Sequence, residues 1–519
     1  MNKVSVILLL SLFGWLFHFP LIGQSVYFNN TIDLAGDWGM GMSVIANDTV
    51  YYIAAITGLG KKISIVEVSQ SGVYNWIKKY GNPLENWYPG SYGSLCPFPS
   101  GGYTLGGSIE TFDPNYGLLL RFDSEFDTIY SRRIINSNYS VILTCSKPTF
   151  DGGIILTGED YSSESNSDII LLKTDSLGNE LWRTTENIGY DDRGWSIIQT
   201  PDSGFVVGGY TYNPAAYHTG DPLIVKFDKN GTFLWSRNPG GPFQDGKAMV
   251  CLNEDTTFTV LTAIADSIYV FDFDYARICV IKYSQNGEEL WRKKYGASIG
   301  GNFVSNIRSL PDRGFICCGK QNIPGNYEVY RSGWLLRLNA DGDSLWFRRY
   351  TYSEDIPFYY NGLHDVSLCE DGGFFATGEV WDHDHLNGLQ RIWALKVDSI
   401  GCEFAGCDST VGVEDDRTVR RYEGKGGGLK IWPNPASKIV NCQLSNVDGR
   451  SKSSISIYDI FGRKVPTPTT SPSPLVSSSP GQQGLSWQID VSPLPPGIYF
   501  VVVRNEWSVI GTEKFVVAR

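Results

Sequence analysis

The chain is patterned as a long series of short apolar runs separated by polar turns, and it shows no helical period. The pattern is clearest where Asp202-Ser-Gly204 precedes Phe205-Val-Val207 and where Leu223-Ile-Val225 leads through Asp228 to Trp235. A short oxygen-bearing side chain bonds the backbone N–H two residues on, and a nearby glycine accepts positive φ, so each such turn joins two antiparallel strands. Each unit therefore predicts four strands in about 50 residues.

This unit recurs seven times between Gly41 and Cys407. An aromatic residue closes six copies at intervals of 52–56 residues: Trp76, Tyr130, Trp182, Trp235, Trp291 and Trp346. The seventh copy is degenerate, with Ala405 in that place and Phe404 beside it. Four-stranded units repeated around an axis are typical of a β-propeller, so the sequence predicts a seven-bladed propeller over residues 41–407. An open solenoid of sheets is the alternative, but neither end shows the polar capping repeat that a solenoid needs.

The turn before each closing aromatic has a fixed composition. Four residues before the aromatic position stands Gly72, Phe126, Gly178, Gly231, Gly287, Gly342 or Gly401. Three residues earlier stands Ser69, Asp123, Asp175, Asp228, Ser284, Asn339 or Asp398. We expect the closing aromatics to pack one blade against the next rather than to contact a ligand.

A different domain follows the repeats. Residues 408–428 are polar and end in three glycines, as a linker does. Residues 429–519 then return to short apolar or alternating runs, which predict a small β-sandwich. Residues 425–519 contain 10 basic and 5 acidic side chains although the chain as a whole has a net charge of −12, which supports separate modules. We expect the Pro/Ser/Thr-rich insert from Val465 to Gly484 to be a disordered loop.

The tail carries four motifs in order: Leu429-Lys-Ile-Trp-Pro-Asn-Pro-Ala436, Ile457-Tyr-Asp-Ile-Phe-Gly-Arg-Lys-Val465, Leu494-Pro-Pro-Gly-Ile-Tyr-Phe-Val-Val-Val503 and Thr512-Glu-Lys-Phe-Val-Val517. Together they resemble the C-terminal sorting domain of the type IX secretion system, a family of Bacteroidetes-type bacteria. The residues that match its pattern are Pro433, Asn434, Pro435, Gly462, Arg463, Gly497, Tyr499 and Lys514. The long insert departs from the family's compact pattern.

The resemblance implies an immunoglobulin-like sandwich that an outer-membrane translocon recognises. It also implies that a sortase-like peptidase often removes this domain and attaches the cargo to surface lipopolysaccharide. An ordinary interaction sandwich is the alternative for residues 429–519. The repeats resemble those of exported propeller proteins that have no defined activity.

The first residues predict export. Lys3 precedes an apolar run from Val4 to Phe19, and Pro20 and Gly23 follow it, which is the layout of a secretory signal peptide over residues 1–23. The run is short of the roughly 20 residues that a membrane span needs, so we predict no transmembrane segment; an uncleaved anchor is the alternative. Residues 24–40 would then form a lead-in to the propeller.

Composition narrows the class further. With 13% aromatic residues and 57 glycines, the chain is too apolar to be disordered and unlike a helical protein. The acidic balance argues against a nucleic-acid partner, which requires a basic face. Ten cysteines include no Cys-x-x-Cys pair, and only Cys402 and Cys407 are close enough for us to predict a disulfide.

Candidate chemistry is sparse. Gly296-Ala-Ser-Ile-Gly300 resembles a nucleophile elbow, but it falls in a connection between blades rather than at a strand-to-helix turn. Asp382, His383, Asp384 and His385 are four adjacent potential metal ligands, but neighbours in one exposed loop seldom close around an ion, so we predict no metal. With only 5 histidines in the chain, we expect no cofactor and we favour an absence of catalysis.

The loops between the second and third strands, and the connections between blades, should share one face. Loops on such a scaffold carry function, and aromatic rings with carboxylates suit sugars or peptides. The candidate binding residues there are Tyr161, Tyr210, Tyr212, Tyr217, Tyr327, Tyr330, Trp381 and Asp382. The sequence therefore favours a secreted or surface-displayed module that binds a glycan or peptide. A polysaccharide-active hydrolase or lyase is the alternative, and a purely structural surface protein is the third hypothesis.

Overall fold

The computed structural model describes residues 27–34, 36–111, 114–136, 139–161, 166–212, 220–241, 244–265, 276–296, 301–324, 329–352, 359–382, 390–404, 407, 429–445, 454–459, 464–465, 473–474, 484–504 and 509–518. These residues form strands and turns with no α-helix among them, which confirms the predicted all-β class. The predicted signal peptide, the linker 408–428 and most of the insert 465–484 lie outside the described residues.

Strand β1 (Phe28–Ile32) comes first, and the next strands group into four-stranded sets. Set 1 contains β2 (Gly39–Ala46), β3 (Val50–Thr57), β4 (Lys62–Ser69) and β5 (Tyr74–Tyr80). In set 2 the first strand is split into β6 (Asn86–Pro89) and β7 (Cys96–Pro97), followed by β8 (Tyr103–Glu110), β9 (Tyr116–Phe122) and β10 (Thr128–Ile134). Set 3 contains β11 (Val141–Pro148), β12 (Ile154–Tyr161), β13 (Ser167–Thr174) and β14 (Glu180–Glu186).

Four more sets follow. Set 4 contains β15 (Asp191–Gln199), β16 (Phe205–Tyr212), β17 (Asp221–Phe227) and β18 (Phe233–Arg237). Set 5 contains β19 (Met249–Leu252), β20 (Phe258–Ala265), β21 (Ala276–Tyr283) and β22 (Glu289–Tyr295). Set 6 contains β23 (Asn302–Ser309), β24 (Phe315–Pro324), β25 (Val329–Leu338) and β26 (Ser344–Tyr350). Set 7 contains β27 (Tyr359–Leu368), β28 (Phe374–Asp382) and β29 (Gln390–Val397), with β1 as its fourth strand.

Each set is an antiparallel meander, and a parallel pairing of Arg331 on β25 with Tyr360 on β27 joins sets 6 and 7 in one sheet. The Arg308 guanidinium on β23 donates to both carboxylate oxygens of Asp365 on β27, at 3.0 and 2.8 Å, and to the Val44 carbonyl on β2 at 3.3 Å. Asp365 is fully buried. First strands of sets 1, 6 and 7 can meet in this way only if they converge at the centre. The arrangement is the propeller-like architecture that the repeats predict.

Strand β1 closes the ring at its N-terminal end. It pairs antiparallel with β29 from Phe28 opposite Lys396 to Ile32 opposite Ile392. The Phe28 ring also lies 5.9 Å from Phe375 of set 7 and 6.2 Å from Tyr51 of set 1, so it packs against both. The sequence interpretation assigned residues 24–40 to a lead-in, whereas the structure places part of them in the outer position of set 7.

The turn chemistry follows the sequence pattern. The Asp228 carboxylate accepts backbone N–H groups from Asn230 at 2.8 Å and Thr232 at 2.7 Å, and Gly231 has a φ of 82°. The disulfide between Cys402 and Cys407 follows β29, with a Cα–Cα distance of 5.5 Å. It lies beside set 6, because the Arg348 guanidinium donates to the Cys407 sulfur at 3.3 Å.

A cation on the third strand, buried in four sets and partly buried in the fifth, stabilises the first-to-second turn in five sets. The pairs are Lys173–Asp151, Lys226–Asp202, Lys282–Asp255, Arg337–Asp312 and Lys396–Asp371. The Lys226 and Lys396 side chains are 2% and 1% exposed, so the aspartate at the turn balances a charge that lies inside the blade.

The tail is a two-sheet sandwich. One sheet has the order β30 (Leu429–Trp432), β31 (Ile439–Ser445), β35 (Gly484–Asp490) and β34 (Ser473–Pro474). The other has the order β33 (Lys464–Val465), β32 (Ser454–Asp459), β36 (Gly497–Arg504) and β37 (Val509–Val517). Trp487, Tyr499 and Phe515 are buried in the core between them.

Candidate functional site

A cavity of about 510 Å³ opens near the axis on the side where the first strands of sets 4 and 6 begin. Its wall is formed by Tyr92, Asp191, Arg193, Trp195, Tyr210, Tyr212, Asp245, Gly246, Lys247, Ala263, Asn302, Phe303, Val304, Ser305 and Lys320. These residues come from sets 2, 4, 5 and 6 and from the connection that precedes β19. Because they are drawn from several sets, the cavity is a product of ring closure and belongs to no single repeat.

Tyr92 reaches this cavity because the first strand of set 2 is interrupted. The segment between β6 and β7 turns inward with positive φ at Tyr92 (44°) and Gly93 (82°). A Cβ on Gly93 would stand 2.9 Å from the Asn306 amide nitrogen, so only glycine lets the segment approach β23 so closely. The Tyr92 ring then lies 6.1 Å from Trp195 of set 4 and 5.8 Å from His364 of set 7. The segment of set 2 thus brings Tyr92 into contact with sets 4 and 7.

Lys247 lies against two of these rings. Its ammonium nitrogen is 3.5 Å from the centroid of Tyr92 and 4.2 Å from that of Trp195. Aromatic faces attract a cation through their quadrupole. Desolvation in the cavity wall, together with the nearby Lys320 charge, lowers the pKa of Lys247 well below its usual range. Burial also raises the pKa of the Tyr92 hydroxyl.

Lys320 is paired beside the cavity. Its ammonium lies 3.4 Å from Glu379 Oε1, and His364 Nε2 lies 3.6 Å from the same oxygen. Burial would raise the pKa of Glu379, but the hydrogen bond and charge of His364, followed by those of Lys320, lower it to about 2. His364 Nδ1 lies 2.8 Å from the Gly41 carbonyl oxygen, which fixes the ring. Glu379 is therefore a carboxylate held by two basic groups.

Arg193 is likewise paired at the cavity edge. Its Nε lies 3.1 Å from Glu159 Oε2, and its Nη2 donates to Asp191 Oδ2 at 3.4 Å. The Tyr161 hydroxyl donates to the same Glu159 oxygen at 3.4 Å. Burial raises the pKa of Glu159 although Arg193 opposes the shift.

The two carboxylates in the cavity wall already accept several hydrogen bonds. Asp245 accepts the Gly241 N–H, and the Ala265 N–H at 2.7 Å. Burial raises the pKa of Asp245 against those bonds. Asp191 accepts the Ser167 N–H at 3.1 Å as well as its hydroxyl. Both carboxylates therefore hold connections in place, and a general acid or base would have to give up such contacts.

The sequence-predicted residues fall in different places. Tyr210 and Tyr212 line the cavity, and Tyr161 contacts the Glu159–Arg193 pair at its edge. Trp381 stacks on Tyr360 with ring centroids 5.4 Å apart, and it does not line this cavity. Tyr330 lies in β25 and Asp382 in β28. Tyr217, Tyr327, His383, Asp384, His385 and residues 297–300 of the Gly-x-Ser-x-Gly string are outside the described residues.

Sequence reasoning missed Lys247, Tyr92, Trp195 and Lys320. Trp195 and Lys320 lie on strands, whereas the sequence hypothesis placed binding residues only in loops. The one available signal for Tyr92 was the run Pro89-Gly-Ser-Tyr-Gly-Ser94, whose two glycines interrupt a strand pattern. Nothing near Lys247 in the sequence indicates which rings it will meet.

The fold and the cavity define an all-β, propeller-like protein that ends in a separate sandwich. Residues 430–518 match the family model described as the secretion system C-terminal sorting domain. This match confirms the resemblance of the tail. It marks the protein as secreted or held at the outer-membrane surface through the type IX secretion machinery, as predicted. None of the described residues forms a helix of the length and apolar character needed to cross a bilayer.

The matching motifs meet in space within the tail. Asn434 Oδ1 accepts the Val516 N–H at 2.9 Å, and the Ala436 N–H donates to the Val516 carbonyl at 2.8 Å. The Tyr499 hydroxyl donates to the Pro495 carbonyl at 2.9 Å. Gly497 begins β36, Lys514 lies in β37, and Gly462 and Arg463 are outside the described residues.

No curated protein sequence matches the chain. Among solved structures, it is similar to a protein of unknown function from Dyadobacter fermentans DSM 18053, with 10% identity, 72% of this chain and 98% of that chain covered, and a TM-score of 0.42. It is also similar to a polysaccharide lyase of family PL25, an ulvan lyase, with 8% identity, coverages of 72% and 96%, and a TM-score of 0.40. A third is an α-L-arabinofuranosidase from Fusarium graminearum, with 10% identity, coverages of 62% and 94%, and a TM-score of 0.37.

Proposed function

We propose that this exported protein binds a glycan or a peptide in the cavity at its axis, and that it acts as a ligand-binding or adhesive module. The observation that carries the proposal is the composition of the wall, where aromatic rings (Tyr92, Trp195, Tyr210 and Tyr212) alternate with charged groups in about 510 Å³. Ligand sites of this size combine apolar faces with a few placed polar groups.

The hydrogen bonds and ion pairs that the carboxylates already make favour binding over catalysis. Hydrolysis of a glycosidic bond requires two carboxyl groups that are free to act on the substrate. Asp191 and Asp245 instead hold backbone N–H groups, and Glu379 is held by Lys320 and His364. Such contacts are typical of carboxylates that shape a site.

The experiment is binding of the secreted protein to glycan and peptide arrays, followed by titration of the best ligand. Trp195→Ala removes a ring from the cavity wall and should weaken binding by about tenfold or more, because buried aromatic anchors dominate such sites. Phe150→Ala is the control, since this ring is 68% exposed in the turn between β11 and β12. It should leave binding unchanged.

Near-ultraviolet circular dichroism of both variants separates loss of binding from loss of fold. Binding that Trp195→Ala leaves intact in a folded protein would move the site away from this cavity. Hydrolysis of an array glycan without stable binding would replace the proposal with the polysaccharide-active enzyme.

For the route of export, we propose that residues 1–23 are removed as a signal peptide. The propeller would span 41–407 with seven blades, completed by β1, and the linker 408–428 would join it to the sorting domain 429–519. A sortase-like peptidase of the secretion machinery would then act near this linker. The order of the motifs in the sequence supports these boundaries.

A further inference from the structure

The three cations of the cavity wall differ in what balances them. Arg193 has Glu159 at 3.1 Å and Asp191 at 3.4 Å, and Lys320 has Glu379 at 3.4 Å. For Lys247, no carboxylate of the described residues lies within ion-pair distance, and its neighbours are the faces of Tyr92 and Trp195. The wall therefore contains one lysine whose charged form no carboxylate of the described residues balances.

The nearby carboxylates do not balance the charge of Lys247. Asp245 is close in sequence, but its oxygens accept the N–H groups of Gly241 and Ala265. Asp191 faces Arg193 and Ser167. Glu379 is already shared between Lys320 and His364. An anionic group of a ligand beside Lys247 would therefore be attracted to a positive charge that no carboxylate of the described residues neutralises.

The rings orient this ammonium. Its contacts with two faces at 3.5 and 4.2 Å hold the side chain on the cavity wall, so an incoming anion does not have to order a free lysine. Tyr210 and Tyr212 line the same cavity from β16, where flat apolar faces suit the face of a sugar ring. A charged group and a ring are thus accommodated within one cavity.

We propose that the ligand is an acidic glycan, whose carboxylate or sulfate group binds the Lys247 ammonium while a neighbouring sugar ring packs on the tyrosines of β16. This inference rests on the proposed binding function and adds the chemical class of the ligand. A bound anion would also offset the cost of holding the Lys247 charge in the cavity wall. The lowered pKa of Lys247 is consistent with that cost, because a bound anion would favour the charged form.

The test compares two matched probes by calorimetric titration of the full secreted protein: a galacturonic acid oligomer and a galactose oligomer of the same length. The rings are the same, and only one probe carries carboxylates. We expect the acidic oligomer to bind at least tenfold more tightly, and its affinity to fall as salt is raised. Lys247→Met should remove that advantage, and Lys247→Arg should restore most of it.

Lys229→Met is the control for loss of a charge. Lys229 is exposed in the turn between β17 and β18, at the opposite end of the strands from Tyr210 and Tyr212, so this variant should bind like the parent protein. A sulfated galactose oligomer distinguishes a sulfate group from a carboxylate, and tighter binding of either supports the proposal.

Four results would overturn the inference. Equal affinity for the acidic and neutral oligomers, or an acidic preference that Lys247→Met leaves intact, would remove the role of this ammonium while leaving the binding function standing. Binding of a poly-glutamate peptide in place of both glycans would show that the acidic ligand is a peptide. Absence of any glycan or peptide ligand on the arrays would remove the proposed function itself.

Discussion

At the scale of the residue, glycine in the turn between third and fourth strands meets two physical requirements. Gly231 has a φ of 82°, a conformation that other residues adopt at a cost. A Cβ there would also stand 2.6 Å from the Trp182 ring, because the closing aromatic of each blade lies under the turn of the next. The same contact joins Gly287 to Trp235 and Gly342 to Trp291. The sequence pattern predicts the first requirement, and packing adds the second.

A comparison of two glycines separates the requirement for positive φ from the requirement for close packing. Gly231 combines positive φ with the Trp182 contact, whereas Gly152 has a φ of 80° with no atom within 4 Å of an added Cβ. We expect Gly152→Ala to lower the free energy of unfolding by about 1 kcal/mol and Gly231→Ala by about 2 kcal/mol or more. Urea unfolding of both variants measures the difference. Equal losses would mean that the ring moves aside without cost.

At the scale of the element, the local sequence pattern predicts strands and turns, but it does not predict every pairing between strands. The hairpins of the repeat join neighbours in sequence, so composition at the turn is enough to predict them. Strand β1 pairs with β29 although Phe28 and Lys396 are far apart in the chain, and no periodicity links them. The interruption between β6 and β7 is a second case, since its inward course depends on the space left by β23.

The contribution of β1 can be measured at Phe28. This ring is buried between Phe375 and Tyr51, so Phe28→Ala should cost about 3 kcal/mol of unfolding free energy and lower the midpoint of thermal unfolding. Amide hydrogen exchange should rise first in β29, its pairing partner. Ile129→Ala in β10, where the side chain is 58% exposed, is the control and should change stability by less than about 0.5 kcal/mol. Unchanged exchange in β29 would contradict closure by β1.

At the scale of the whole molecule, the chain consists of a propeller-like part that is exported and a C-terminal sorting domain that directs the export. The negative charge lies in the first part: residues 425–519 carry +5, so residues 1–424 carry −17 within the chain's net −12. The sorting domain has its own buried core around Trp487 and Phe515, as a separately recognised module requires. The cavity lies in the other part, so export and the proposed binding depend on different residues.

This division predicts the result of a truncation. Removing residues 429–519 should leave the protein in the periplasm of its host, because the segment that the secretion machinery recognises is then absent. Fractionation followed by immunoblotting measures the distribution. In the reciprocal experiment, residues 408–519 fused to a periplasmic reporter should carry it to the cell surface or the medium. Surface display of the truncated protein would contradict the assignment of the tail.

The sequence by itself determined the all-β class, the repeated four-stranded unit, the turn residues and the sorting tail, because each depends on groups close together in the chain. Tyr210 and Tyr212 were also predicted from the sequence, as members of an aromatic-rich loop, although the structure places them at the end of β16. Only the tertiary structure decided that Tyr92, Trp195 and Lys247 would meet. They come from different parts of the ring, and contacts across an axis depend on how many sheets close it and on how far each loop reaches inward. The cavity was therefore decided by the way the sheets close around the axis, which no single repeat encodes.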